Sequence, residues 1–279
     1  MKIAVTGATS EIGIYLVKSF EELGHEVLVF TRNPRSENDI YFDIEKPEVI
    51  SHDCDVLVHL GWRYWDIGDS TELNLVASTK LLSSFKANSS LIFLSTLSAY
   101  TTESRYGNEK QLVETIFLAR HGLVIRAGVL WGGASTSGMA NTIDKIKRIP
   151  FFCLHLNPDP VLFLTHYEDI FEEIIQYLNN PWTKFVVSGN KQPIFLSEIL
   201  HSSNQQKRIH LSLSIKQVLR LTRFLHAIKV RIPFRFDSLR GVLNDSSKEI
   251  SNEMYSRSTH TVENFKNWIN YDLNLEDEK

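Results

Sequence analysis

The first thirty residues leave this chain little choice of fold. Lys2–Val5 is a short apolar run that reads as a buried strand. It enters Thr6-Gly7-Ala8-Thr9-Ser10-Glu11-Ile12-Gly13, after which Ile14, Leu16, Val17 and Phe20 recur at helical spacing. Gly24 ends that helix, and Glu26–Phe30 (EVLVF) reads as the next strand. Strand, glycine turn, helix and strand within about 30 residues is the setting in which a glycine motif carries meaning. Gly7 allows the tight turn, and Gly13 lets the helix lie close to the sheet. The backbone N–H groups from Thr9 through Glu11 and Ile12 are placed to hold a pyrophosphate. Ser10 replaces the middle glycine of the pattern; it is small enough to keep the approach to a phosphate and adds a donor. The expectation is an α/β fold, a Rossmann-type doubly wound parallel sheet that binds a dinucleotide.

The end of the second strand selects which dinucleotide. A carboxylate there would accept the ribose hydroxyls of NAD. This chain has Thr31-Arg32-Asn33-Pro34-Arg35 and no acid. A guanidinium binds phosphate by charge and by paired donors, so Arg32 favours NADP over NAD; the alternative is that Arg32 and Arg35 are solvated loop charges. Tyr41–Ile44 reads as a third strand, with Asp43 in reach of an adenine amine, and Glu45–His52 as a short helix. Asp55–Leu60 is a buried strand, and Gly61 at its end lets a cofactor lie close. Trp62-Arg63-Tyr64-Trp65 follows at the carboxyl end of that strand, where such sheets bind ligands. It either contacts substrate or caps the core.

Chemistry concentrates in Leu91–Lys110. Leu91–Leu94 is a buried strand, with hydroxyls Ser95, Thr96 and Ser98 at its end and a helix opening at Tyr106. Tyr106 and Lys110 are four apart, one turn on one helix face. A lysine cation beside a phenol favours the phenolate and tunes it for proton transfer. A strand-end hydroxyl is placed to hold a substrate oxygen against that phenol. Proton donor, tuner and oxygen clamp together suit carbonyl reduction or alcohol oxidation.

The rest of the chain narrows the class. A net charge of −3 gives no global signal for nucleic acid. No apolar run reaches the roughly 18 residues of a membrane span. Met1-Lys2 leads straight into the first strand, so a cytoplasmic protein is expected, with Cys54 and Cys153 as reduced thiols. The ten histidines show no H-x-x-x-H or Cys/His ligand spacing, which argues against a metal hydrolase, and no metal is expected. Thr71–Lys86 reads as a helix, Gly122–Arg126 as a strand running on to Trp131, and Ser135–Lys147 as a surface loop and helix. Val161–Thr165 and Phe185–Ser188 read as strands, and Ile170–Leu178, Leu196–Ser202 and Thr261–Ile269 as helices. From Lys207 to Arg240, nine Lys and Arg residues face one acid, Asp237. That segment is a lid whose cations, Arg240 among them, hold a diphosphate, or a basic helix on anionic lipid, or a solvated face.

Taken as an ordered series, these residues resemble the extended short-chain dehydrogenase/reductase family of NAD(P)-dependent nucleotide-sugar epimerases, dehydratases and reductases. Gly7–Gly13 resembles its G-x-x-G-x-x-G turn, Asp43-Ile44 its adenine-contacting pair, and Asp55–Gly61 (with Leu60) its D-x-x-x-H-L-A strand. Asn74 falls at a structural asparagine. Ser95–Tyr100 aligns Thr96 with the catalytic Ser/Thr, and Tyr106 and Lys110 match Y-G-x-x-K. Arg126–Gly132 is similar to the R-x-x-x-x-x-G strand end, His166–Asp169 to the V-x-D segment, and Asp245–Lys248 to D-x-S-K.

The resemblance implies a cofactor domain formed mainly by residues 1–165 and a small C-terminal substrate lobe formed mainly by 166–279, with segments interleaved. It implies a homodimer through the helices of Asn74 and Tyr106, and a nucleotide-sugar substrate met by Trp62, Arg63, Thr96, Trp131 and Arg240. In this reading Tyr106 is the acid, Lys110 also holds the nicotinamide ribose, and Thr96 bonds the reacting oxygen. The chain departs from the family in two ways. Tyr106 follows Thr96 by only ten positions, a shortened loop that alters the pocket. Leu97-Ser98 also stands where dehydratases carry Asp-Glu. An NADP-dependent keto-sugar reductase is therefore expected, with an NAD-dependent 4-epimerase and a non-catalytic NADP sensor as alternatives. Surface-polysaccharide or deoxysugar synthesis is the family-level setting.

Overall fold

The computed structural model describes residues 1–48, 53–64, 72–100, 104–135, 138–147, 152–181, 184–190, 192–201, 209–214, 216–218, 220–221 and 258–276. Its strands are β1 (Lys2–Thr6), β2 (Glu26–Thr31), β3 (Asp39–Tyr41), β4 (Val56–His59), β5 (Ser90–Thr96), β6 (Leu123–Ala127), β7 (Val129–Trp131), β8 (Phe152–Asn157), β9 (Val161–Leu162), β10 (Leu164–His166), β11 (Lys184–Ser188), β12 (Ile194–Phe195) and β13 (Ile209–Ser214). Its helices are α1 (Glu11–Glu22), α2 (Leu73–Ser83), α3 (Arg105–Leu118), α4 (Gly138–Lys147), α5 (Tyr167–Asn179), α6 (Leu196–His201) and α7 (Val262–Glu276).

Seven strands form one sheet in the order β11-β6-β5-β4-β1-β2-β3, and every pairing in it is parallel. The order reverses between β1 and β4, which opens a crevice at their carboxyl ends. Both faces are covered. Ile12, Leu16 and Phe20 of α1 pack with Tyr167, Ile170 and Ile174 of α5 on one face. Leu81 and Leu82 of α2 pack with Val113 and Phe117 of α3 on the other. Burying side chains of this size contributes about 1.5–3 kcal/mol each. Strands covered on both sides read as continuous apolar runs, as β4 (VLVH) and β5 (SLIFLST) do. A second core gathers Val129, Trp131, Ala140, Ile143, Leu164, Ile199 and Phe265. The chain therefore crosses between the two cores more than once: β7 and α4 join the second, whereas α5 and β11 return to the first.

Several elements differ from the sequence expectation. The third strand is Asp39–Tyr41, two residues earlier, because β2 pairs Val29 with Asp39; Phe42 then drops into the core beside Phe30. Residues 45–48 form a turn and an extended segment instead of a helix. The Asp43 carboxylate accepts the Glu45 N–H, and Pro47 breaks any helical continuation. Helix α4 is not a surface helix: Ala140, Ile143 and Ile146 are buried. Helix α2 is shorter than expected, ending where Ser83 and Ser84 hydroxyls bond the Lys80 carbonyl. Most of 207–240, with Arg240, and all of 245–248 lie outside the described residues. No described helix is long and apolar enough to cross a membrane.

Candidate active site

The crevice begins at the glycine turn. Gly7 has φ +68°, and a Cβ there would stand 2.7 Å from the Gly61 nitrogen. The turn after β1 and the chain leaving β4 thus touch backbone to backbone, making a cradle that side chains would fill. Ser10 is the N-cap of α1. Its hydroxyl donates to the Gly7 carbonyl and accepts the Gly13 N–H, so it works inside the turn. The first-turn N–H groups of Glu11 and Ile12 are the orphan donors that remain for an anion. The Glu11 carboxylate reaches across to Ser135, accepting its hydroxyl at 2.7 Å. Leu60 packs on the first core, and the Gly61 N–H donates to Thr6 Oγ1. Thr6 also bonds His59, which bonds Ser78. Burial and then the Lys110 charge push the His59 pKa down to about 3, so this ring is a neutral strut. These features fit the diphosphate of a dinucleotide.

At the adenosine end Arg32 follows β2 directly and is exposed. Asp39, the carboxylate that opens β3, is turned back on its own loop. It accepts the N–H groups of Arg35 and Ser36 and the Ser36 hydroxyl. Those bonds, the Arg35 N–H first, hold it below the usual carboxylate range. Asp43 follows β3, with Ile44 against the core. Arg63 pairs with Glu45 at 2.5 Å.

Helix α3 presents the chemistry. Ser104 caps it by accepting the Gly107 N–H, and a Cβ on Gly107 would overlap the Ser98 carbonyl. The first turn of α3 therefore lies on the 3-10 turn Leu97–Tyr100 that follows Thr96. Gly107, Lys110, Glu114 and Phe117 form the buried stripe, and Tyr106 stands at its edge, half-buried. The Lys110 ammonium is 5.9 Å from the Tyr106 ring centre. It donates to the Leu94 carbonyl at 2.8 Å and lies 4.0 Å from the Trp62 ring centre and 4.5 Å from that of Phe93. Burial lowers its pKa to about 7, against smaller opposing effects of Glu114 and Glu109. Trp62 meets Tyr106 edge-on at 5.8 Å, and Tyr64 stacks on the same phenol at 5.6 Å.

The three expected hydroxyls separate. Ser95 is buried and donates to Glu114, which also takes two bonds from Arg126. Thr96 stays partly exposed, its Oγ1 accepting the Ser98 N–H. Asn74 ties the pieces together: its amide accepts the Arg63 N–H and donates to the Arg63 carbonyl and to Glu109.

Tyr106, Lys110 and Trp62 are thus brought together. Trp131 is elsewhere, 3% exposed in the second core and ringed by His166, His260, Phe265 and Trp268. Sequence reasoning missed Glu109 and Glu114. The signal for Glu114 was its place four residues after Lys110, in the same stripe. It also missed the group His166, Glu168 and His260, joined across the chain. The two imidazoles stack with centroids 3.6 Å apart, and His166 Nδ1 accepts the Glu168 N–H as a helix cap.

Residues 3–117 match the family model described as NAD dependent epimerase/dehydratase family. Among curated proteins no sequence matches this chain. Solved structures share its fold. A UDP-N-acetylglucosamine 4-epimerase from Bacillus cereus is 18% identical over 92% of this chain and 100% of its own, with TM-score 0.60. A dTDP-glucose 4,6-dehydratase from Bacillus anthracis, in complex with NAD, is 15% identical over 99% and 98%, with TM-score 0.68. RMD from Pseudomonas aeruginosa, complexed with NADPH, is 15% identical over 87% and 98%, with TM-score 0.56. The family match spans the glycine cradle, Thr96, Tyr106 and Lys110. It covers the β1–β5 part of the sheet, where a dinucleotide-binding crevice opens, and leaves the rest of the chain outside the match.

Proposed function

From the match of residues 3–117 to the NAD dependent epimerase/dehydratase family, we propose that the chain is an NADPH-dependent reductase of a keto-sugar carried on a nucleotide diphosphate. The observation that carries the cofactor preference is Arg32, exposed at the end of β2 while Asp39 is occupied with Arg35 and Ser36. A guanidinium there receives a 2′-phosphate; a ribose diol would want the carboxylate. The bound dinucleotide supplies hydride to the carbonyl carbon. Tyr106 gives its phenolic proton to the carbonyl oxygen, Thr96 bonds the same oxygen, and Lys110 holds the ribose and steadies charge at Tyr106. Leu97 and Ser98 bring no acid beside Thr96, which favours reduction over dehydration.

In this reading residues 1–165 mainly hold the cofactor and 166–279 mainly the substrate. Trp62 lines the reacting end. The enzyme works in the cytoplasm as a homodimer through the outer faces of α2 and α3, where Val76 is 42% and Leu112 54% exposed. The test is binding of NADPH against NADH to the apo-protein, with Arg32→Ala alongside. NADPH should bind at least about tenfold tighter, a preference of roughly 1.4 kcal/mol that Arg32→Ala removes. Equal binding, or NAD retained through purification, would move the 4-epimerase to first place.

A further inference from the structure

The nicotinamide end of the crevice is closed where the cofactor has to reach Lys110. That lysine is 3% exposed. Among the described residues its ammonium has one hydrogen bond, to the Leu94 carbonyl, and two ring faces within 4.5 Å, Trp62 and Phe93, with the Tyr106 ring further off at 5.9 Å. A ribose hydroxyl needs to come within about 3 Å of Nζ to bond it, so one of the nearer three has to leave. The Leu94 carbonyl is backbone in the middle of the sheet. Phe93 is fully buried and stacks on His59 and Phe117. Trp62 is the partly exposed one, on the segment leaving β4.

The Trp62 backbone is itself pinned. On one side the Gly61 N–H is held by Thr6; on the other, Asn74 takes both the N–H and the carbonyl of Arg63. Motion is therefore left to the side chain. Among the described residues its buried Nε1 has no hydrogen-bond partner, so no bond is broken when the indole turns away.

We propose that Trp62 is a movable cover on Lys110: it lies over the ammonium in the cofactor-free protein and swings off when the nicotinamide-ribose half of the cofactor arrives. The inference rests on the reading of this chain as an NADP(H) enzyme with Lys110 at that ribose. The covered amine loses water beneath the ring, and the fraction of it that is charged gains cation–π attraction. The open one exchanges the ring for two ribose hydroxyls. Because the indole edge also touches Tyr106, the same swing clears space beside the proton donor. A protein that has to uncover itself binds more weakly by the fraction of time it is open. Trp62 is thus a positioning residue that acts through Lys110.

The experiment compares NADPH with adenosine 2′,5′-bisphosphate, which carries the adenosine end and lacks the nicotinamide riboside. Both are titrated into the full chain, as wild type and Trp62→Ala. NADPH should bind at least about threefold tighter to the variant, an effect of the kind expected when a closed state is removed, while the bisphosphate is unchanged. An unchanged ratio, or NADPH alone weakened, overturns the cover and makes Trp62 an ordinary contact. If neither ligand binds the wild type, the NADP(H) reading itself falls and the cover with it. A second readout does not need the variant to fold well. In protein labelled with 15N-tryptophan, the Trp62 indole N–H should be protected from solvent exchange when free and lose that protection in saturating NADPH, but not in the bisphosphate. Protection that persists with NADPH bound also overturns the proposal.

Discussion

Glu114 grips Arg126 inside the molecule through two parallel bonds, Nε to Oε1 at 2.8 Å and Nη2 to Oε2 at 2.6 Å. Both residues are below 9% exposure, and the guanidinium is flanked by the rings of Tyr100 and Phe185. The carboxylate also takes the Ser95 hydroxyl, fixing the end of β5 one residue before Thr96. Removing one partner strands a buried charge, so Glu114→Ala should cost about 3–5 kcal/mol in urea unfolding. The double variant Glu114→Met, Arg126→Met should recover much of that loss. If Glu114→Ala costs no more than a surface substitution, the pair is not the brace described.

Two glycines with similar backbones should behave differently. Gly7 (φ +68°) and Gly24 (φ +77°) both sit where an L residue is strained. A Cβ at Gly24 meets nothing within 4 Å, whereas one at Gly7 meets Gly61. Gly24→Ala should cost only the backbone term, about 1 kcal/mol, and leave cofactor binding intact. Gly7→Ala should push the turn away from β4 and weaken NADPH by at least about tenfold, or 1.4 kcal/mol. Calorimetric titration of both variants decides it; equal binding by both would remove the cradle from the argument.

The proposed homodimer has a direct check. Leu112 and Val76 are apolar side chains left exposed on adjacent helices, and a two-fold contact between copies would bury both. Leu112→Lys with Val76→Lys should shift the sedimentation coefficient from dimer to monomer while leaving the circular dichroism spectrum unchanged. A wild type that already sediments as a monomer would refute the assignment.

How much of this was legible depended on how local the cause was. The turn at Gly7–Gly13 is set by residues within one turn of each other and stands as read, but the Ser10 hydroxyl, expected to serve a phosphate, is held by the Gly7 carbonyl and caps α1 instead. The third strand slipped because Tyr41–Ile44 is the more apolar run, yet its partner β2 selects Asp39–Tyr41 and leaves Phe42 for the core. Helix α4 carries an apolar stripe at Ala140, Ile143 and Ile146 without a strong cap in sequence, and only the second core gives that stripe something to bury against. His166 and His260, like Glu11 and Ser135, meet from far apart in the chain, and no spacing in the sequence announces such pairs. Trp62 was visible as a residue at a strand end. That it lies on Lys110 depends on two side chains from different elements.

Lys110 ties the site to pH. Burial brings its pKa in the free protein down to about 7, well below the roughly 10.4 of an unfolded chain. Between those values the unfolded state holds the proton and the folded state does not. Stability of the free protein should therefore rise as pH increases from 7 toward 10, and Lys110→Met should flatten that rise. If NADPH replaces the indole with ribose hydroxyls that accept from the ammonium, as proposed, its binding favours the charged form. It should draw up to one proton onto Lys110 in the same window, most fully near pH 8–9. Titrations in phosphate and in Tris, whose ionisation heats differ, give that proton count. Wild type should show uptake and Lys110→Met little or none. Equal heats in the two buffers for wild type would mean that Lys110 is already charged beneath the ring.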